Sequence, residues 1–309
     1  MSFCVSVVLL FVSLIMKRKI LRRLLIVFLV LIVVWLVFAQ CSMKFRISDS
    51  QAKEKFSKNN VTLATESIKV DGFTMHYAKT GNDSLPTLFF VHGSPGGWNA
   101  FERYMQDKDL LHKFRMIAVD RPGFGYSQFG DAKDLEEQSR LISPLVKSFQ
   151  NGKPMYAVGH SLGGPMIVKL QIDTENLFTG LVFLAASNDP NEEKPERWRY
   201  VLKETPLNYF LPGAFRPSNK ELVYLKKDLK YLDKEWEKIT CPVWIIHGDK
   251  DTFVPVGNVE YTKKKLTHAK SVEVKILPGA RHFIPWEQYE DIKEVLNRLP
   301  VQDSLFQLF

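Results

Sequence analysis

Read as apolar and polar positions, the chain opens on two apolar runs, residues 3–16 and 24–39, separated by a cluster of Lys17, Arg18, Lys19, Arg22 and Arg23. The second run has no charge and no helix breaker, and with Ile20 and Leu21 drawn in beside their snorkelling basic neighbours it approaches the ~20 residues that span a bilayer. A polar, lysine-rich stretch follows to residue 65, with weak helical spacing only around Ala52 to Phe56, and predicts a stem that makes few contacts. Two β-rich segments, 66–70 and 73–79, flank Asp71-Gly72, the pairing that supplies positive φ in a two-residue hairpin turn. From there short, apolar-rich runs at 87–91, 115–119, 156–158, 181–185, 242–246 and 272–277 alternate with amphipathic or polar segments, including predicted helices at 134–150, 256–268 and 285–299. Strands buried on both faces read this way, so the pattern predicts a mostly parallel eight-stranded sheet flanked by helices. The alternation breaks after the sixth strand, where residues 187–238 hold Pro, Lys, Glu and aromatics without a convincing strand, and predict an inserted helical cap. The expected organisation is a membrane anchor or signal region at 1–45, a stem at 46–65 and a folded domain at 66–309.

Composition adds little to that picture. The chain has 309 residues, 45% hydrophobic and 25% charged, enough for one large core. Its net charge is +8, but the basic cluster before residue 24 supplies most of it, which makes the charge a membrane-flank signal. Without zinc-like Cys/His spacing, a Walker-type loop or a basic stripe interleaved with aromatics, the sequence gives no reason to expect nucleic acid as a partner, and no cofactor or metal is expected. Cys4, Cys41 and Cys241 are too far apart to suggest a disulfide framework. The leading reading of the N-terminus is a retained single-pass signal anchor, with cleavage near Val37 and Ala39, or lipid attachment at Cys41, as the alternatives; Met16 is a second possible start. In each, the positive-inside rule leaves the basic cluster cytoplasmic and the domain on the other side. Asn60 and Asn82 sit in N-x-[ST] patterns and matter if secreted proteins are glycosylated in the source.

The chemistry concentrates at strand ends. Gly159-His160-Ser161-Leu162-Gly163 follows an apolar strand and precedes an apolar helix, as in a nucleophile elbow, where a strained turn lifts the serine above the sheet and the flanking glycines avoid collisions. The N–H of Leu162, at the start of the helix, would face an oxyanion formed beside Ser161. Serine needs a base, and the base an orienting carboxylate. His247-Gly248-Asp249-Lys250-Asp251 and Leu277-Pro278-Gly279-Ala280-Arg281-His282 follow the last two strands. Together with His92-Gly93-Ser94-Pro95-Gly96 and Asp120-Arg121-Pro122-Gly123-Phe124-Gly125-Tyr126-Ser127, these motifs make the chain from residue 66 to the terminal helix resemble the α/β-hydrolase family. The two loops are similar to those of epoxide hydrolases, haloalkane dehalogenases and prolyl aminopeptidases.

The resemblance implies Ser161 as nucleophile, Asp251 as acid and His282 as base, with the N–H groups of Leu162 and Ser94 as the oxyanion hole. Asp249 and Asp189 remain alternative acids. His92 and His247 are expected to brace loops, His160 to fill space near the backbone, and Asp120 and Arg121 to fix the loop behind the oxyanion strand. Trp98, Trp198, Phe215 and Phe283 are assigned to the substrate pocket. The first two relatives use aspartate at the elbow, so serine at 161 favours acyl over alkyl-enzyme chemistry. The expected function is a membrane-anchored serine hydrolase acting on small hydrophobic esters. A prolyl-type aminopeptidase, a C–C hydrolase, an acyltransferase and a noncatalytic binding module of the same fold are the alternatives.

Overall fold

The computed structural model describes residues 2–194 and 196–301, with side chains described from Met16 onward. The end of the expected domain, 302–309, lies outside the described residues. A single helix, α1 (Ser2–Cys41), runs through both apolar segments and the basic cluster between them. Its part from Met16 to Cys41, with a mean hydropathy of 3.0 over its apolar window, is long and apolar enough to cross a membrane by length and composition.

The stem is the main departure from expectation. Residues 49–57 form α2 (Asp49–Ser57), opened by a capping box in which Ser48 and Gln51 exchange side-chain to backbone hydrogen bonds. Ala52 and Phe56 are fully buried, and the Phe56 ring meets Trp98 with centroids 6.0 Å apart. Asp49 reaches the buried His76, whose other ring nitrogen bonds Asp120 at 2.8 Å. The stem therefore belongs to the folded domain. Two apolar residues at i, i+4 in a lysine-rich segment are too weak a signal for a helix, yet they suffice to seat one turn after another on an existing core. Phe56→Ala should lower the unfolding free energy of the protein by about 3–5 kcal/mol, measured by denaturant titration in detergent; a change near zero would mean that α2 is peripheral.

The hairpin follows, β1 (Ala64–Val70) and β2 (Phe73–Thr80), with positive φ at both Asp71 and Gly72 as the turn requires. Then come β3 (Thr87–Val91), a 3₁₀ turn at Trp98–Phe101, α3 (Glu102–Met105), α4 (Lys108–Lys113) and β4 (Arg115–Val119). α5 (Leu135–Ser148), capped by Asp134, β5 (Met155–His160), α6 (Gly163–Asp173) and β6 (Gly180–Leu184) complete the first part of the domain. The insertion supplies α7 (Arg197–Glu204), a 3₁₀ helix at Pro206–Phe210 and α8 (Phe215–Leu232). At 18 residues α8 is the longest helix of the insertion, and it tolerates Pro217 because that residue falls in its first turn, where a missing N–H costs nothing. The chain ends through β7 (Val243–Gly248), α9 (Gly257–Lys265), β8 (Val272–Leu277), α10 (Ile284–Glu287) and α11 (Tyr289–Arg298). The expected terminal helix is thus broken at Gln288, whose φ of −120° and ψ of 40° re-aim α11 so that Tyr289, Ile292 and Leu296 pack inward.

The strands form one sheet in the order β1-β2-β4-β3-β5-β6-β7-β8, antiparallel at β1/β2 and β2/β4 and parallel at every other pairing. Only β2 runs against the rest. Alternate residues feed two cores: Phe89, Val91, Ile117 and Ala157 face α5, α6 and α8, while Leu88, Phe90, Met116 and Val158 face α2 and α11. Because β4 and β5 lie on opposite sides of β3, the connections diverge at the C-terminal ends of β3 and β5, the crevice where open parallel sheets bind ligands.

Candidate active site

Both strands at that crevice end in loops that carry candidate site residues. Ser161 leaves β5 with φ of 54°, a left-handed conformation that costs a non-glycine residue energy and persists where its surroundings fix it. They do so here through the Ser161 N–H, which donates to the Leu184 carbonyl at 3.0 Å, and its carbonyl, which accepts from Gly164 at 2.9 Å. A Cβ on Gly159 would lie 2.3 Å from the Gly163 carbonyl oxygen, and one on Gly163 would lie 2.2 Å from that of Val91. Both flanking glycines are required by contact, as the sequence suggested. Gly93, in the loop after β3, comes as close: a Cβ there would stand 2.9 Å from Ser161 Cβ.

Asp251 and His282 arrive on the loops after β7 and β8, which pair in parallel, and His282 Nδ1 donates to Asp251 Oδ2 at 2.7 Å. The other carboxylate oxygen accepts from the N–H groups of Phe253 and Val254 at 2.9 and 2.8 Å. Burial alone would raise the Asp251 carboxyl, but the hydrogen bond and charge of His282 and the Val254 N–H outweigh it and hold it below the ordinary aspartate range. Asp249 instead accepts from Gly279 N–H at 2.7 Å, tying the two loops together, and Asp189 caps Asn191 at 2.8 Å. His247 Nε2 donates to the Val254 carbonyl at 2.9 Å, bracing the turn that carries Asp251.

His160 does more than fill space. Its Nε2 donates to the His282 backbone carbonyl at 3.1 Å, linking the residue before Ser161 to the loop of His282. Burial, aided by the nearby His282, pushes its pKa down to about 3, so it stays a neutral donor at any working pH. His92 is likewise buried and held well below the usual histidine range, by burial first and by the Arg121 charge second. Its Nδ1 donates to the Gly93 carbonyl at 2.7 Å and its Nε2 accepts from the Arg121 N–H at 3.0 Å.

Arg121 fixes the same loop from behind. Its Nε donates to the His92 carbonyl at 2.8 Å and an Nη to that of Gly93 at 2.9 Å. The guanidinium also makes a two-pronged pair with Glu221 of α8, at 2.6 and 2.9 Å, and both side chains are at most 2% exposed. Ser94 donates its hydroxyl to Ser218 of α8 at 2.8 Å. The cap helix is therefore bolted to the loop beside Ser161, and Ser161, Leu162 and His282 are all buried.

The four expected pocket aromatics go to different places. Phe283 lies beside His282, with ring centroids 5.6 Å apart, in a cluster with Phe253 and Trp286 that the sequence did not single out. Trp98 is 1% exposed and packs in the core against Phe56, while its main-chain N–H donates to Asp120. Phe215 meets Phe45 of the stretch after α1, and Trp198 lies half-exposed on α7 beneath the Arg199 guanidinium.

A family model for the alpha/beta hydrolase family matches residues 88–295, and the chain belongs to that family. It is a hydrolase-fold enzyme in class. Epoxide hydrolase 1 of Caenorhabditis elegans is 29% identical over 117 residues, covering 36% of this chain and 28% of that protein. The pimeloyl-[acyl-carrier protein] methyl ester esterase of Nitrosomonas europaea is 23% identical over 241 residues, covering 64% of this chain and 90% of the esterase. Among solved structures, an epoxide hydrolase superposes with a TM-score of 0.59 at 19% identity over 75% of this chain and 96% of its own, a likeness of fold.

Proposed function

We propose that the protein is a membrane-anchored serine hydrolase that cleaves small hydrophobic carboxylic esters through an acyl-enzyme. The observation that carries this reading is the 2.7 Å bond from His282 Nδ1 to Asp251, on a loop held by His160 to the elbow of Ser161. With its Nδ1 proton engaged, His282 presents Nε2 as the base that takes the Ser161 proton and returns it to the leaving alcohol. The N–H groups of Leu162 and Ser94 receive the oxyanion, and water then releases the acid. Epoxide hydrolases are among the relatives, but a serine at the elbow favours an acyl intermediate over an alkyl one. The charge-free span of α1 with its basic flank supports an anchor that leaves the domain on the extracytoplasmic side.

Labelling with a fluorophosphonate tests the nucleophile: the modified peptide should carry Ser161, and a folded protein that takes no label would point to a noncatalytic module. Phe283, beside His282, fits a role in choosing the substrate. Phe283→Ala should shift kcat/KM between p-nitrophenyl esters of adjacent chain length by ~1–3 kcal/mol without changing the labelling rate. An unchanged preference would make Phe283 a packing residue.

A further inference from the structure

The C-terminal part of α1 is bonded to the cap. Trp35 Nε1 donates to the Phe210 carbonyl at 3.1 Å, and the Gln40 amide donates to that of Tyr209 at 2.8 Å. Arg216 returns a bond to Gln40 Oε1 at 3.0 Å, and the N–H groups of Gly213 and Ala214 donate to the carbonyls of Ala39 and Met43 at 2.7 and 2.9 Å. The two backbones touch, since a Cβ on Gly213 would lie 2.2 Å from the Ser42 carbonyl oxygen.

The depth of these contacts follows from helix geometry. A hydrocarbon core of about 30 Å takes about 20 residues at ~1.5 Å each, so a span beginning at Leu24, just past Arg23, uses the whole remainder of α1 and ends with the helix at Cys41. Trp35 lies about six residues, or ~9 Å, short of that end. The Pro206–Phe210 turn bonded to it therefore cannot stand clear of the bilayer if α1 crosses it. Its surface suits that position: Leu207 and Tyr209 are 48% and 55% exposed, and Val201 on the adjoining α7 is 56% exposed. None of the residues of α7 is buried, and its sequence Arg-Trp-Arg-Tyr-Val-Leu-Lys mixes aromatic, aliphatic and basic side chains in the manner of interfacial helices. From the anchor to the chemistry is one turn of α8, between Phe215, which meets Phe45, and Ser218, which accepts the Ser94 hydroxyl.

The geometry points to a cap seated in the membrane: α7 and the Pro206–Phe210 turn lie in the headgroup and upper acyl region of the extracytoplasmic leaflet, and the esters that reach Ser161 are those dissolved in the bilayer. The seated cap rests on α1 crossing the membrane, and the delivery of bilayer-dissolved esters rests in addition on the serine-esterase reading above. Two measurements on the full chain in phosphatidylcholine nanodiscs separate them. Photo-crosslinking with a diazirine-bearing phosphatidylcholine should mark peptides from residues 198–210 as well as α1; crosslinks confined to α1, or none, would overturn the seated cap. The doubly substituted Val201→Asp, Leu207→Asp protein should hydrolyse p-nitrophenyl octanoate at least about tenfold more slowly, as expected for losing two buried apolar contacts, with p-nitrophenyl acetate within about twofold. Equal fluorophosphonate labelling of the two proteins shows that the variant is folded. Parallel loss on both esters in the labelled variant, or no loss on either, would overturn delivery from the bilayer. Crosslinking at 198–210 by a wild-type protein that hydrolyses neither ester would support the seated cap and overturn the esterase reading alone.

Discussion

Replacing Ser161 with alanine is expected to lower kcat by at least ~10³ with little effect on stability, and His282→Ala to do the same. Neither change exposes a core, because the elbow is held by main-chain bonds to Leu184 and Gly164 and not by the serine side chain. Asp251→Asn is the more telling variant. Its carbonyl oxygen would stay with the N–H groups of Phe253 and Val254, leaving the amide NH₂ facing His282 Nδ1. That forces the proton to Nε2, the wrong tautomer for accepting from serine, so a fall of similar size is expected with folding intact. The comparison variants are Asp249→Asn and Asp189→Asn, whose carboxylates bond Gly279 and Asn191. Steady-state kinetics with p-nitrophenyl butyrate checks all five. Activity near wild type in Asp251→Asn with loss in Asp189→Asn would move the acid to the loop after β6.

What the sequence disclosed and what it hid divide on physical lines. Strands buried on both faces write themselves as apolar-rich runs, so the central strands β3, β4, β5 and β6 were legible almost residue for residue, while the edge strand β8, only partly buried, showed through the alternation of Val272, Val274 and Ile276 with Glu273 and Lys275. The elbow was legible because backbone contacts demand both its glycines, Gly159 against Gly163 and Gly163 against Val91 of the neighbouring strand, and so leave a fixed G-x-S-x-G spacing in the sequence. Helix α2 was hidden, since only Ala52 and Phe56 of its nine residues are buried and a lysine-rich segment with two apolar positions reads as solvated. His160 was unreadable as a bridge: it occupies a free position of the elbow motif, and its partner is a backbone carbonyl 122 residues away. Glu221 was hidden most completely. A glutamate in a helix with Lys220, Lys226 and Lys227 looks like an exposed charge, and only the folded chain brings it to Arg121.

That pair carries the second large expectation. Glu221→Ala should cost about 3–5 kcal/mol of stability, because it strands a guanidinium that is 0% exposed. The reason is the charge left behind more than the attraction lost. Arg121→Leu should cost a similar amount, freeing the carbonyls of His92 and Gly93 that the guanidinium now holds. Combining Arg121→Leu with Glu221→Ala removes both charges, so the double variant should be more stable than the sum of its parts by roughly 1–3 kcal/mol in a double-mutant cycle. Activity should separate from stability in that protein. The loop that presents Ser94 has lost its clamp from behind, while Asp251, His282 and the elbow are untouched, so at a temperature where the double variant is fully folded kcat should fall by about 10-fold or more with KM changed little. Strictly additive destabilisation would show that Arg121 and Glu221 are coupled only by proximity, and wild-type kcat in the folded double variant would show that the oxyanion loop holds its shape without them.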